Sequence, residues 1–343
     1  MARLLVTGGA GYVGSHTVRR LLEADHSVIV VDDLSEGHQA AIGNAELVRL
    51  NLASPQCPAR LDTLFSEHPI DAVLHFAARA YVGESVRDPE LYYRNNVVGG
   101  LQLLSAMARA GIPRFVFSST CATYGVPEAV PIPETHPQRP VNPYGRTKLI
   151  LEMALEDYAS AIDLGFVTLR YFNAAGAHPD GTLGEVHAPE THLIPLALDA
   201  ASGGGESLRI FGRDYDTPDG TCVRDYIHVV DLADAHVKAL DYLGAGGESR
   251  SFNLGTGRGH SVLEVIEQVR AVVGAKVAHD DAPRRPGDPP VLVADPRLAN
   301  EVLAWQPRLP DLKTIVETAW EFRRRNRGGY HASGAGRDEV SHG

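Results

Sequence analysis

Short apolar runs alternate with longer stretches of helical period through the first half of the chain. Leu4–Thr7, Ser27–Val31, Leu47–Leu50, Ala72–Phe76, Arg114–Ser118 and Phe166–Arg170 read as strands. Between them, Tyr12–Glu23, Cys57–Glu67, Asp88–Ala110 and Asn142–Ala161 repeat their apolar residues at the period of an α-helix. Strands that are apolar on both faces and joined by helices imply a parallel sheet with right-handed crossovers. The pattern therefore predicts a doubly wound α/β fold.

After about Asn173 the texture changes. Gly, Pro, His and Asp become frequent through His178–Pro195, Gly212–Gly220 and Ala282–Pro290. Shorter elements lie between: helices near Leu193–Ala201, Val230–Leu243 and Ser261–Val273, and a strand near Leu208–Phe211. This reads as a smaller, loop-rich C-terminal lobe, the kind of surface that carries ligand contacts. The expected organisation is a nucleotide-binding unit over residues 1–172 and a substrate-binding lobe over 173–325. A disordered tail is expected over 326–343, where no apolar period remains.

Composition narrows the possibilities. In 343 residues, 32 Lys and Arg stand against 43 Asp and Glu, a net charge of −11. That excess argues against nucleic acid or an anionic membrane as a partner. No apolar run approaches the length of a membrane span, and the N-terminal run is too short for a signal segment. Three cysteines (Cys57, Cys121, Cys222) have no paired spacing, so a disulfide framework is not expected and a reducing cytoplasm is. Only four residues are lysines (Lys148, Lys238, Lys276, Lys313), which makes any lysine-dependent motif hard to meet by accident.

The run Leu4–Thr7 leads into Gly8-Gly9-Ala10-Gly11-Tyr12-Val13-Gly14, and a helical pattern follows at once. Glycines at this junction permit a tight turn and let backbone amides approach a pyrophosphate at the helix N-terminus. Asp32 stands 18 residues beyond Gly14, at the end of the second strand, with Asp33 beside it. A carboxylate there accepts from ribose hydroxyls and repels a 2′-phosphate, which favours NAD over NADP. The sheet is thus expected to be of the Rossmann type.

Tyr144-Gly145-Arg146-Thr147-Lys148 opens a helix and sets Tyr and Lys four apart on one face. With 12 tyrosines and four lysines, chance supplies about 0.14 such pairs. A tyrosine is a poor base near neutrality, but a neighbouring ammonium and the positive nicotinamide both favour its phenolate. Lys148 could also hold the nicotinamide ribose. The strand Arg114–Ser118 carries Ser118 and Thr120 to the carboxyl end of the sheet, where ligands of such folds bind. Thr120 is the hydroxyl expected beside the substrate, although a strand-end Thr needs no such role.

These residues together resemble the extended short-chain dehydrogenase/reductase family, and within it the UDP-hexose 4-epimerases that act on UDP-glucose and UDP-galactose. The resemblance runs from Leu4 to about Phe322. It is carried by Thr7–His16, His75-Phe76-Ala77-Ala78, Val82-Gly83-Glu84-Ser85, Asn95-Asn96-Val97, Pro143–Lys148, Leu169–Asn173 and Gly220–Val229. It implies Tyr144, Lys148 and Thr120 as the catalytic group. NAD would be lined by Gly8, Gly11, Tyr12, Val13, Gly14, Asp32, Asp33, Asn51, Leu52, Phe76, Ala77, Ala78, Ala80, Asn95, Ser118 and Phe172, with Tyr144 and Lys148. The UDP-sugar would be held by Asn173, His192, Leu193, Arg209, Ile210, Phe211, Arg224, Tyr226, Arg285, Asp288 and Leu292. Fork-shaped Arg224 and Arg285 suit a diphosphate, Asp288 a ribose and Phe211 a uracil; each alone reads equally well as a surface charge or core aromatic. The implied reaction is a transient oxidation at C4 with hydride returned to the opposite face. The long helical patterns also resemble the two that this family pairs across a dimer axis, so a homodimer is expected.

Several positions depart from the family pattern. Leu50-Asn51-Leu52 replaces Gly-Asp-aliphatic, Ala80 replaces a lysine found in some members, and Thr191-His192 replaces an Asn pair. Leu292 stands where a large aromatic tends to exclude N-acetylhexosamines, which keeps UDP-N-acetylglucosamine open. Arg79 and Tyr81 flank the sugar side, which keeps UDP-glucuronate open, although outward-facing side chains explain them as well. Dehydratases and decarboxylases of the same fold need carboxylic acids where this chain has Cys121-Ala122. A dinucleotide sensor would not be expected to keep the Tyr–Lys pair. No metal is expected: His187, Glu190 and His192, with His178 nearby, lie in a Pro-rich loop without helical spacing.

Overall fold

The computed structural model describes residues 1–285, 287–326 and 329–331. Six strands of the first half, β1 (Arg3–Thr7), β2 (Ser27–Asp32), β3 (Glu46–Arg49), β4 (Ala72–His75), β5 (Arg114–Thr120) and β6 (Gly165–Tyr171), join a seventh, Arg250–Leu254, in one sheet. The order across it is Arg250–Leu254, β6, β5, β4, β1, β2, β3, and every pairing is parallel. The chain winds from β1 out to β3, then returns to the other side of β1 at β4. The crevice at the carboxyl ends of β1 and β4 is the binding position of such a sheet.

The two faces follow from strand alternation. Leu4, Val6, Val28, Val30, Leu74 and Val116 face one layer, with Val18 and Leu21 of the helix Tyr12–Glu23 and Leu232 and Ala239 of the helix Val229–Gly244. Leu5, Ile29, Val31, Val73, Phe115 and Phe117 face the other, with Leu61, Leu104, Met107, Leu151 and Leu155 from three further helices. Fully burying each such side chain contributes about 1.5–3 kcal/mol.

Most predicted elements occur within a residue or two of their expected ends. The expected helix Asp88–Ala110 runs unbroken from Pro89 to Ala110, through Pro89–Tyr92, a π-helical turn Tyr93–Val98 and Gly99–Ala110, and a short helix not expected from the sequence, Val82–Arg87, precedes it. Asp88 ends that short helix and caps the long one by accepting from Leu91 N at 3.1 Å, and Pro89 suits the first helical position.

The boundary expected at Asn173 is not clean along the chain, because Val229–Gly244 and Arg250–Leu254 return to complete the nucleotide-binding layers. The remaining second half packs helices Leu193–Ser202, Val262–Val273 and Leu312–Arg325 around their own apolar cluster. A small three-stranded sheet, in the order His260–Ser261, Val223–Arg224, Val291–Leu292, stands beside it. A further cluster of Cys121, Tyr124, Ile132, Phe172 and Ala294, edged by Leu292, fastens this region to the end of β5. Of the expected tail, Asn326 and the turn Gly329–His331 are described, and the Tyr330 hydroxyl donates to Gly184 O at 2.8 Å. Residues 327, 328 and 332–343 lie outside the described residues. No helix among the described residues is long and apolar enough to cross a membrane.

Candidate active site

At the end of β1, Gly8 N donates to Val31 O at 2.8 Å and the residue takes φ +71°. A Cβ there would lie 2.4 Å from Ala77 N, and one at Gly14 would lie 2.2 Å from Gly8 O. Both positions are closed to any side chain. Gly11 differs: its Cβ would meet only Gly8 O at 3.4 Å, which leaves its outer side clear. Gly11 also caps Tyr12–Glu23 without a side-chain hydrogen bond, so the first-turn amides are left for an anion. Asp32 closes the turn by accepting from Ala10 N at 3.0 Å and Leu34 N at 2.9 Å. Burial pushes its carboxyl above the usual range, against those two hydrogen bonds. A glycine cradle with this carboxylate fits a dinucleotide.

The other expected cofactor contacts divide. Asn51 is exposed, donates to Asp33 at 2.9 Å and accepts from Ala53 N at 2.8 Å, whereas Leu52 is buried in the core. Tyr12 donates its hydroxyl to Gly176 O at 2.6 Å and so ties the first helix to the second half. Phe76, Ala77 and Ala78 follow β4 into the crevice half-buried, and Ala80 is exposed. Asn95 lies in the π turn and donates to Asn96 at 3.0 Å. Asn96 is the buried brace, donating to Thr147 at 3.0 Å and accepting from Arg79 N at 2.8 Å.

Tyr144 and Lys148 stand on the buried face of Pro143–Ala161, a helix begun by Pro143 and by Asn142, which accepts from Gly145 N at 2.8 Å. Thr120, the last residue of β5, lies near enough to the Tyr144 phenol to influence it, and its hydroxyl accepts from Ala122 N at 3.2 Å. Lys148 Nζ donates to Ser118 O at 2.7 Å and lies over the Phe117 ring at 4.9 Å. Ser118 in turn meets the Tyr171 hydroxyl at 2.9 Å. The three expected catalytic residues therefore converge on the carboxyl end of β5.

The expected lowering of the tyrosine is not what the protein's own groups produce. Burial pushes the Tyr144 phenol well above its ordinary value, with Tyr171 adding to the rise and Thr120 opposing it. Burial likewise lowers the Lys148 ammonium to about 7, with Glu152 opposing. Desolvation outweighs the neighbouring charge because both groups lie beneath the surface.

A set of residues below the pair escaped the sequence reading. Glu152, one turn beyond Lys148, accepts from Arg170 at 2.6 Å, from Gln138 at 2.8 Å and from Ser119. Arg170 also donates to the Tyr124 hydroxyl at 3.0 Å, and Tyr124 donates to Asn253 at 2.7 Å. The signal was present: Tyr144, Lys148, Glu152 and Leu155 share one helical face, so Leu155's burial implies theirs.

Across the crevice, Arg224 donates to Asp288 at 2.5 Å from a strand paired with Leu292. Arg285 lies over the Phe211 ring at 4.0 Å and covers one of its faces. Arg209 is exposed, whereas Ile210 and Tyr226 are buried in the lobe's core and Leu193 packs against it. Asn173 pairs in register with Tyr226. His192 does not join this group; its Nδ1 lies 2.5 Å from Glu185 Oε1. Arg79 is paired with Glu36 at 2.8 Å rather than turned outward.

The fold and site define an α/β dinucleotide-binding enzyme in which a tyrosine and a lysine stand at the carboxyl end of β5. Residues 4–255 match the NAD dependent epimerase/dehydratase family, and the chain belongs to it. It is 53% identical over 327 residues to a UDP-glucose 4-epimerase of Rhizobium meliloti (strain 1021), covering 95% of this chain and 98% of the relative. Among solved structures, the UDP-glucose 4-epimerase of Brucella ovis in complex with NAD is 50% identical with a TM-score of 0.90, covering 94% of this chain and 98% of that one. The UDP-Glc/GlcNAc 4-epimerase of Campylobacter jejuni is 42% identical with a TM-score of 0.82, covering 95% and 100%.

Proposed function

We propose that this chain is an NAD-dependent isomerase that inverts C4 of a UDP-hexose, interconverting UDP-glucose and UDP-galactose. The observation that carries the reading is the convergence of Tyr144, Thr120 and Lys148 at one sheet edge, beside the glycine cradle. The glycine cradle and Asp32 would hold NAD, which would supply the reversible hydride acceptor for C4. The protein's residues do the rest. Tyr144 takes the 4-hydroxyl proton as the phenolate, which the positive nicotinamide would favour against the cost of burial, and gives it back, with Thr120 orienting that hydroxyl. Lys148, held by Ser118 O, keeps a cation below the phenol. Arg224 and Arg285 hold the diphosphate by charge-assisted hydrogen bonds, which leaves the hexose free to turn.

Cys121 stands where a dehydratase would need a carboxylic acid, and burial pushes its thiol up to about 12, so elimination chemistry is not supported. Glu36 already neutralises Arg79, which counts against a glucuronate substrate. Leu292, half-buried beside Arg224, leaves more room than an aromatic and favours UDP-N-acetylglucosamine as a second substrate. The decisive assay incubates the purified protein separately with UDP-galactose, UDP-N-acetylgalactosamine and UDP-glucuronate and separates the products. Formation of UDP-glucose from UDP-galactose is expected; absence of C4-inverted product from every sugar would refute the reading.

We also infer a homodimer. Val82, Val86, Tyr93, Val98 and Leu101, together with Met153 on the catalytic helix, are exposed large apolar side chains on neighbouring helices. Such a patch suits a partner copy. Sedimentation should give twice the chain mass, and monomer alone at micromolar concentration would contradict it. Three free cysteines, all buried, suit a reducing compartment such as the cytoplasm.

A further inference from the structure

We propose that Glu185, His187, Glu190 and His192 form a binding site for a zinc-class divalent cation, in the loop that leads into the helix Leu193–Ser202. The sequence argued against a metal because residues 187, 190 and 192 have no helical spacing. The fold supplies what spacing did not. It turns the loop so that one ligand atom from each of four residues lies within 4.8 Å of the others, and it adds Glu185.

The distances suit a common centre. His187 Nδ1 lies 3.2 Å from Glu185 Oε1 and 3.9 Å from Glu190 Oε1, and His192 Nδ1 lies 3.5 Å from Glu190 Oε1. Zinc bonds of 2.0–2.1 Å in a tetrahedron put neighbouring ligand atoms about 3.3 Å apart. Only His192 Nδ1 to Glu185 Oε1, at 2.5 Å, is tighter.

Orientation separates a metal site from a plain set of ion pairs. Glu185 is more than nine-tenths buried, yet its Oε1 has no hydrogen bond, although two imidazole nitrogens stand close by. His187 Nδ1 and Glu190 Oε2 are likewise buried without one, whereas Glu190 Oε1 accepts from Thr191 N at 2.8 Å and from His192 N at 2.9 Å. The imidazole nitrogens and carboxylate oxygens are near each other but not joined by aligned hydrogen bonds, which is the arrangement of lone pairs that face a shared cation. Two carboxylates and two neutral imidazoles carry charge −2, which a divalent ion cancels.

Two His and two Glu are borderline-to-hard donors, suited to Zn²⁺ more than to copper(I) or an iron–sulfur group. Four protein ligands leave no open position, so the site is structural. It would pin the loop where the Tyr81 ring meets His187 at 5.8 Å and the Tyr12 ring meets it at 6.4 Å, against the edge of the cofactor crevice. The His192 side chain, 45% exposed, gives the ion its way in.

The test uses the full chain without an affinity tag, stripped with a chelator and dialysed. Zn²⁺ is added back and quantified per chain by elemental analysis; Co²⁺ is added separately and its visible spectrum recorded. The expected result is one equivalent of Zn²⁺, an intense tetrahedral Co²⁺ spectrum and a higher melting temperature in the loaded protein. Glu185→Gln and His187→Gln should each weaken uptake at least tenfold while retaining bound NAD, which reports folding. Uptake well below one equivalent, a weak octahedral Co²⁺ spectrum, or unchanged uptake in folded variants would overturn the site. The unaltered protein's Co²⁺ spectrum decides even if a variant fails to fold.

Discussion

Lys148 Nζ donates to the backbone carbonyl of Ser118 at 2.7 Å, so the helix Pro143–Ala161 is locked by its lysine to the strand that ends in Thr120. Tyr144 is one turn earlier on the same helix, with Thr120 beside its phenol. The lysine tie fixes the phenol relative to the sheet edge.

Tyr144→Phe removes the proposed proton acceptor and little volume. Turnover of UDP-galactose should fall by about 10²–10⁴, the worth of a positioned acid–base group. NAD released on denaturation should match the parent. Residual activity within tenfold of the parent would unseat Tyr144.

Lys148 makes a prediction about stability against pH. Its pKa is about 7 folded and ordinary, near 10.5, when unfolded. Between those values the unfolded chain binds one more proton, so the parent gains stability as pH rises from about 7 to 10.5. Below about 7 the ammonium is held in both states and its full burial cost, several kcal/mol at 1.36 kcal/mol per pK unit, is present. Lys148→Met escapes that cost. Its stability relative to the parent, measured by urea unfolding, should be greatest below pH 7 and decline toward pH 10; a constant difference would contradict the burial argument.

Arg170 and Glu152 form a buried ion pair at 2.6 Å beneath the site. Arg170→Met leaves the carboxylate without its main partner and should cost about 3–5 kcal/mol in denaturant unfolding. Adding Glu152→Met should restore much of the loss, because the stranded charge goes too. Simple additivity of the two losses would show that they do not act as a pair.

Gly14→Ala drives a Cβ to within 2.2 Å of Gly8 O, so the turn must open. The purified variant should carry less than a tenth of the parent's bound NAD, measured after denaturation. Full retention would mean that the glycine cradle does not set cofactor affinity.

Arg224→Met removes a half-buried guanidinium that carries the diphosphate in the proposed pose and pairs with Asp288. A charge-assisted hydrogen bond is worth about 1.5–3 kcal/mol, so inhibition by UDP should weaken roughly ten- to hundredfold with a smaller change in kcat. An unchanged UDP inhibition constant would move the diphosphate elsewhere.

Much of the nucleotide half was legible because its signals are local. Strand alternation, the glycines between Thr7 and Tyr12, and the Tyr144–Lys148 spacing each depend on near neighbours in the chain. The short helix Val82–Arg87 and the π turn Tyr93–Val98 were harder, since six residues are too few to show a period and a single wide turn barely shifts one. The strand Arg250–Leu254 was not expected, because its place in the sheet depends on pairing with β6, about 80 residues earlier.

What the sequence alone determined, then, is the doubly wound sheet, the dinucleotide cradle and the placing of Tyr144 and Lys148 on one helical face, all written in short-range periodicity and spacing. Tertiary structure decided the ionisation of that pair, since Tyr144 is raised and Lys148 lowered by burial that no spacing reports. It also decided which polar groups meet: Glu152 with Arg170, Glu36 with Arg79, and Glu185 with His187 and His192. The physical reason is the same in each case. Desolvation and charge pairing depend on what lies across a gap in space, and that is settled only when distant segments of the chain are packed together.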